Sequence, residues 1–117
     1  MNGTRLYHNP RCSKSRGALE LLREHGIEPV IVPYLDTPPS TAELRSLLDA
    51  LGLSARELLR TGEEEYKALG LADESLPESA LIEAMSTHPR LIERPIFLHG
   101  GRAVIGRPPE RVLELLG

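Results

Sequence analysis

The pattern of apolar and polar positions predicts a strand, a helix and a second strand in the first forty residues. "TRLY" is a short strand candidate, and the Asn9-Pro10 pair after it is typical of a turn. Apolar residues then recur at helical spacing through "SKSRGALELLREH", and Gly26 stands where a helix would end. "EPVIVPYL" predicts the second strand, and Pro33 favours an edge position or an early end for it.

The middle of the chain carries helical patterns, and two of them begin with a capping box. Ser40 with Glu43 opens "TAELRSLLDALG", and Ser54 with Glu57 opens a shorter helix that ends near Arg60. "EEEYKALG" and "PESALIEAMSTH" predict further helices. We expect residues about 40–88 to form a helical insertion between two sheet-forming halves of the chain.

The last quarter of the chain predicts a β-hairpin and a closing helix. "RPIFLHGGRAVIG" holds two apolar runs around Gly100-Gly101, a pair that favours a tight turn, and "RPPERVLELLG" places prolines in a first helical turn. Strand-helix-strand is typical of a parallel pair, and the hairpin adds two antiparallel strands. The sequence therefore predicts an α/β fold, a four-stranded mixed sheet with helices packed on it, in a single domain over residues 1–117.

Composition and charge narrow the class of protein. The chain has 117 residues, a length that can fold without disulfides or a metal. Its net charge of -3 and its 3% aromatic content argue against general binding to nucleic acid or to an anionic membrane. The start lacks a signal-peptide pattern, and the single cysteine suits a reducing compartment. We expect a soluble, cytoplasmic protein that is monomeric, since no sustained apolar heptad appears.

The single cysteine, Cys12, lies in the predicted turn between the first strand and the first helix, within "YHNPRCSKSR". Unpaired N–H groups and the dipole at a helix start lower the pKa of a thiol, and nearby cations lower it further. His8, Lys14 and Arg16 provide such charge, and the Ser15 hydroxyl is one turn away, where it would donate to the sulfur. This setting favours a reactive thiolate over an inert buried thiol, and the same amides would bind an oxyanion.

Two other kinds of site receive no support from the spacing of residues. Cys12 and the four histidines show no Cys-x-x-Cys or His-x-x-x-His pattern, so no metal site is expected. A Cys-His-Asp protease has no supporting motif either.

Four segments that occur in this order resemble one protein family. They are "YHNPRCSKSR", "LLR" ending at Arg60, "ERPI" containing Arg94-Pro95, and "GRPPE" containing Arg107. Together they resemble the ArsC family, the glutaredoxin-coupled arsenate reductases, and within it the branch of YfgD-type proteins. The resemblance covers essentially the whole chain and implies a thioredoxin-like fold with a helical insertion.

The resemblance also implies roles for individual residues. It makes Cys12 the nucleophile, His8 and Ser15 the residues that activate it, and Pro95 a cis-proline that faces the cysteine. It assigns oxyanion binding to three arginines: Arg60, Arg94 and Arg107. The assignment is physically sensible, because the planar guanidinium fork suits a tetrahedral dianion such as arsenate and offsets its repulsion of a thiolate.

The activity that the resemblance implies is reduction of arsenate to arsenite. Cys12 would form an adduct with arsenate or a similar oxyanion, glutathione would resolve the adduct as a co-substrate, and glutaredoxin would regenerate the thiol. No bound cofactor is implied. The sequence agrees in one respect: Ser15 stands where a Cys-x-x-Cys motif has its second cysteine, so the electrons must come from another molecule.

Two alternatives to arsenate reduction remain open on the sequence. One is a glutaredoxin-like reductase that acts on mixed disulfides of proteins with glutathione. The other is a non-enzymatic regulator similar to Spx, a redox-responsive protein that binds RNA polymerase. Spx-type proteins carry a Cys-x-x-Cys switch that this chain lacks, which disfavours the regulator.

Overall fold

The computed structural model describes residues 3–116, and their contacts divide the chain into two compact units. One unit comprises the described residues up to Thr37 together with those from Arg94 onward, and the other runs from Pro38 to Glu93. The second unit is thus inserted in sequence between the two halves of the first, in the region where the helical insertion is expected. The assignment of residues 1–117 to a single domain stays a prediction.

The first unit contains the predicted four-stranded mixed sheet. Its strands are β1 (Thr4–Tyr7), β2 (Val30–Val32), β3 (Ile96–His99) and β4 (Arg102–Ile105). The strand order is β2-β1-β3-β4, with β1 parallel to β2 and antiparallel to β3. Leu6 of β1 therefore lies between Ile31 and Phe97 in the two ladders.

The connections of the sheet follow from local sequence signals. Helix α1 (Ser13–Glu24) joins the parallel strands, and β2 is only three residues long and lies at the edge, as Pro33 indicated. Gly100 and Gly101 have φ angles of 61° and 81° between the antiparallel strands β3 and β4. A tight hairpin turn of type I′ needs positive φ at both central residues, which glycine adopts without steric cost.

The core of this unit forms between the sheet, α1 and the end of the chain. Its buried residues come from β1, α1, β3, β4 and the C-terminal helix: Leu6, Ala18, Leu22, Phe97, Val104 and Val112. Ala18 and Leu22 are four residues apart, so both lie on the same face of α1. Burial of this apolar face is what holds α1 on the unit.

The closing helix is present but has a different geometry from an α-helix. It is a 3-10 helix over Pro109–Leu115. Arg111 N donates to Pro108 O and Leu116 N donates to Leu113 O, each to the residue three positions earlier, as in 3-10 geometry. Prolines at its start provide no N–H groups for helical hydrogen bonds, and at seven residues this 3-10 helix is longer than most.

The second unit is helical. It contains α2 (Thr41–Leu51), α3 (Ala55–Leu58), α4 (Glu64–Ala68), α5 (Glu78–Thr87) and a 3-10 helix over Pro89–Leu91. Ser40 caps α2 by accepting from Glu43 N at 3.1 Å, and Ser54 with Glu57 forms a full capping box on α3. An isolated antiparallel bridge pairs Leu59 with Ile92 near the end of the unit.

The helices of residues 3–116 are too short or too polar to cross a membrane. Helix α1 has twelve residues, whereas about 20 apolar residues are needed to span a bilayer.

Candidate active site

Cys12 occupies the N-cap position at the start of α1. Its backbone is extended, with φ -95° and ψ 122°, and its carbonyl accepts the first hydrogen bond of the helix from Arg16 N at 3.0 Å. The turn before it is closed by a bond from Cys12 N to Asn9 O at 3.0 Å, and the Asn9 side chain accepts from Arg11 N at 3.0 Å. Asparagine side chains commonly stabilise turns in this way, so the local sequence fixes the thiol at the helix start.

The pKa of the Cys12 thiol lies below its ordinary value, although the largest single influence raises it. Partial burial of the sulfur disfavours the thiolate, but three groups favour it more strongly in combination: the backbone amide of Ser15, the side chain of Arg94 and the backbone amide of Lys14. Cys12 makes no capping hydrogen bond as a neutral thiol. The amides at the helix start therefore act on the ionised sulfur, as expected for a reactive cysteine.

His8 and Ser15 form a buried pair beside this turn. His8 Nδ1 and Ser15 Oγ are 2.7 Å apart, and the same hydroxyl oxygen accepts from Asn9 N at 3.1 Å. His8 is 7% exposed and Ser15 is fully buried. Burial lowers the pKa of His8, and the charges of Arg23 and Arg16 lower it further, so the imidazole is neutral near pH 7.

Ser15 therefore contributes to the site in a different way from the one expected. The sequence predicted that its hydroxyl donates to the sulfur, whereas the hydroxyl bonds to His8 and Asn9 and the backbone amide stabilises the thiolate. The capping rule contains the missed signal, because the side chain of an N-cap residue faces the N–H groups two and three residues later. For Cys12 these residues are Lys14 and Ser15.

The basic residues near Cys12 also differ from the prediction. Arg94, which is distant in sequence, supplies the cationic side chain that lowers the pKa of Cys12. Lys14 contributes through its backbone amide, and Arg16 donates to Pro10 O at 2.9 Å while its charge acts on His8. Proximity in sequence alone did not identify the charge that acts on the thiol.

The β3–β4 hairpin brings two of the expected arginines together. Ile96 pairs with Ile105, so the residues before β3 lie beside the residues after β4. Gly106 N donates to Pro95 O at 2.9 Å, and Arg107 Nη1 approaches Arg94 O at 3.5 Å. Arg94 acts on the sulfur of Cys12, so this corner of the sheet meets the start of α1.

The Arg94-Pro95 peptide bond is cis, as predicted, and the Arg107-Pro108 bond is also cis. That Pro95 faces the cysteine stays a prediction. The close approach at this corner depends on Gly106. A Cβ atom there would lie 2.9 Å from Pro95 Cγ and 3.1 Å from Val112 Cγ1, nearer than side chains tolerate.

Known proteins share the sequence of this chain over nearly its whole length. The model of the ArsC family matches residues 7–115. The chain belongs to the ArsC family. It is 60% identical over 114 residues to the uncharacterized protein YfgD of Escherichia coli K12, covering 97% of this chain and 96% of that protein. It is 50% identical over 113 residues to a protein of Neisseria meningitidis serogroup A named arsenate reductase, covering 96% of this chain and 97% of the relative.

The chain also has the same fold as a solved structure that carries the name arsenate reductase. A structure named arsenate reductase from Vibrio cholerae superimposes with a TM-score of 0.94 at 50% identity, covering 97% of this chain and 98% of that one. The predicted thioredoxin-like α/β fold is therefore confirmed.

The third arginine that the ArsC family resemblance assigns, Arg60, lies in the unit Pro38–Glu93. It follows α3, and its guanidinium donates from Nη1 to Glu93 Oε1 at 2.8 Å. Its role as an oxyanion ligand stays a prediction, as do the roles of Cys12, Arg94 and Arg107 in catalysis and binding. Glu93, directly before Arg94 in sequence, was not singled out from the sequence.

Proposed function

We propose that this protein reduces arsenate to arsenite with Cys12 as the nucleophile. The observation that carries the proposal is a cysteine of lowered pKa at a helix start, facing Arg94, in a chain of the ArsC family. Relatives at 50% identity that carry the name arsenate reductase support the choice of substrate.

The oxyanion is bound by arginine side chains and by the amides at the start of α1. Arg94 and Arg107 flank the same corner of the sheet, and Arg94 already acts on the sulfur. Arsenate is a dianion near neutral pH, so a thiolate attacks it only if cations offset the repulsion between them. Arg60 is proposed as a further ligand because the ArsC resemblance assigns it.

In the first step the Cys12 thiolate attacks arsenic(V). A sulfur–arsenic bond forms and one arsenic–oxygen bond breaks, so hydroxide leaves and arsenic stays in the +5 state. The lowered pKa of Cys12 supplies the thiolate without a separate base. The neutral His8 and Ser15 hold the turn that carries Cys12, through the bond between them and the bond from Asn9 N.

In the second step glutathione supplies the electrons. Its thiolate attacks the sulfur of Cys12, a disulfide forms, and the sulfur–arsenic bond breaks with its electron pair moving to arsenic, which leaves as arsenite in the +3 state. Glutaredoxin then removes glutathione from Cys12 by thiol–disulfide exchange. The chain has no second cysteine to perform this exchange itself. The proposed setting is the cytoplasm, which keeps glutathione reduced.

The test is a coupled assay that follows NADPH oxidation with glutathione, glutaredoxin and glutathione reductase present. We expect arsenate-dependent NADPH oxidation by the wild-type protein and none above background by Cys12→Ser. A wild-type rate no higher than that of Cys12→Ser would refute arsenate reduction. Turnover of a glutathionylated peptide in the same assay, without a response to arsenate, would instead favour the mixed-disulfide reductase.

A further inference from the structure

One edge of the Arg60 guanidinium has no acceptor among the described residues. Arg60 Nε is buried and without a hydrogen-bond partner, and Nη2 lies 4.0 Å from Glu63 Oε2, beyond hydrogen-bond distance. Nε and Nη2 form one edge of the planar fork, and such edges bind two oxygens of a carboxylate or a phosphate-like group in parallel. A buried donor without an acceptor is costly, so a ligand oxygen that accepts from this edge would stabilise it.

The opposite corner of the same guanidinium is held by Glu93. Arg60 Nη1 and Glu93 Oε1 are 2.8 Å apart, and the two side chains are only 20% and 28% exposed. Glu63 is also close, but it pairs more tightly with Arg90, at 3.2 Å. Glu93 is therefore the carboxylate that fixes the position of Arg60.

The backbone brings Arg60 and Glu93 to diagonal positions across one bridge, where Arg60 N donates to Leu91 O and Glu93 N donates to Leu58 O. Leu59 and Ile92 form an antiparallel bridge, flanked by backbone hydrogen bonds of 2.7 and 3.0 Å. Leu59 and Ile92 are 6% and 2% exposed, so their side chains face the interior. Side chains alternate between the two sides of an extended backbone, so Arg60 and Glu93 share the opposite side of the bridge.

We propose that Glu93 is a positioning residue for oxyanion binding: it holds Nη1 of Arg60 and so presents the Nε–Nη2 edge to a tetrahedral oxyanion. Two oxygens of the anion accept from Nε–H and Nη2–H while the Glu93 carboxylate stays on Nη1. This inference rests on the proposed function, because it takes arsenate as the ligand. It extends that function by naming the residue that orients an arginine.

The test measures the dissociation constant of arsenate by isothermal titration calorimetry on the full chain, without glutathione. We expect Glu93→Ala to weaken binding by about tenfold, the size of one lost charge-assisted contact. Glu93→Gln keeps an acceptor oxygen for Nη1 and should stay within about threefold of wild type. Glu74→Ala removes an exposed carboxylate of the same unit and serves as the control for net charge.

A double-mutant cycle separates positioning from a general structural effect. Arg60→Lys removes the planar fork, so in that background Glu93→Ala should weaken arsenate binding by less than about twofold further. If Glu93 had only a structural role, Glu93→Ala would weaken arsenate binding by the same factor in the wild-type and Arg60→Lys backgrounds. If Glu93→Ala does not fold, Glu93→Asp replaces it, because the shorter side chain withdraws the carboxylate from Nη1 and should weaken binding by about threefold or more.

The outcomes distinguish this inference from the proposed function. Affinity for arsenate that is unchanged in Glu93→Ala overturns the positioning role alone, and tighter binding would make Glu93 a competitor of the anion. A wild-type protein that binds no arsenate overturns both proposals. A wild-type protein that binds arsenate in a Glu93-dependent way but does not reduce it leaves the positioning role intact and refutes the reductase activity.

Discussion

At the scale of single residues, the reactivity of Cys12 is set by a balance of opposing influences. Burial of the sulfur disfavours the thiolate, and the Ser15 amide, Arg94 and the Lys14 amide favour it more strongly together. Two of these influences are local to the helix start and would accompany any cysteine at the N-cap. The third comes from Arg94, 82 positions away in sequence, and couples the thiol to the corner of the sheet at Pro95.

This balance predicts how the alkylation rate of Cys12 varies with pH. The midpoint for reaction with iodoacetamide should lie below the ordinary thiol value of about 8.5. Arg94→Ala should move the midpoint upward, because it removes a cation and a donor from the thiolate. Arg11→Ala removes an exposed cation close in sequence and should leave the midpoint in place. A wild-type midpoint at or above the ordinary value would contradict a lowered pKa of Cys12. Equal midpoints in the two variants would mean that Arg94 does not lower this pKa.

The position of Cys12 could be predicted from the sequence, whereas the partner of the Ser15 hydroxyl could not. The position of Cys12 at the helix start follows from the turn "HNP" and the helical pattern after it, both of which are local. The partner of the Ser15 hydroxyl is His8, seven residues earlier and on the other side of a turn. Its identity depends on how β1 ends, which spacing along the sequence does not encode.

At the scale of secondary-structure elements, the contact between the β3–β4 hairpin and the C-terminal 3-10 helix shapes the site. Gly106 follows β4, donates to Pro95 O, and leaves no room for a side chain between Pro95 and Val112. The helix packs on α1, where a Cβ at Gly17 would lie 3.4 Å from Pro109 Cγ. These contacts hold Arg94 and Arg107 on the same part of the fold.

Gly106→Ala should therefore destabilise the protein. The added methyl would lie 2.9 Å from Pro95 Cγ, and overpacking of this kind costs about 1–3 kcal/mol of unfolding free energy. Urea denaturation measures the loss. Gly62→Ala is the matched control, because a Cβ there meets nothing within 4 Å. Equal stability of the two variants would mean that Pro95 and Val112 move aside for the methyl group at no cost in unfolding free energy.

The sequence predicted most helices, strands and turns from signals between near neighbours, but it did not predict the 3-10 geometry of the last helix. The Ser40 cap, the Ser54–Glu57 capping box and the Gly100-Gly101 turn act within about four residues, and the structure contains all three. The final segment has helical spacing but forms a 3-10 helix. Apolar periodicity does not distinguish the two helix types over seven residues, whereas packing against α1 and β4 does.

At the scale of the whole molecule, His8 ties folding stability to pH. Burial, aided by Arg23 and Arg16, holds the pKa of His8 below its ordinary value of about 6.5. Below that value the unfolded chain takes up a proton that folded His8 resists, so the free energy of unfolding decreases as pH falls through this window. The stabilising contribution is complete above about pH 6.5 and is lost as pH falls through the folded pKa.

His8→Gln should remove this part of the pH dependence. Urea denaturation from about pH 7.5 to about pH 5 should show a shallower decrease for His8→Gln than for wild type. His25→Gln replaces an exposed histidine and is the matched control variant. If the His8 and His25 variants have the same slope as wild type, the pKa of His8 is not lowered by folding.

The sequence alone determined the local helices, strands and turns and the position of Cys12 at a helix start. It also indicated a sheet with both parallel and antiparallel strands. These features depend on capping, turn residues and apolar periodicity, which act between near neighbours in the chain. Only the tertiary structure decided that β1 pairs with β3, which sets Leu6 opposite Phe97 and carries the Arg94-Pro95 corner to the thiol. That pairing joins residues about ninety positions apart and is chosen by burial of apolar faces on both strands, a condition that a linear pattern does not specify.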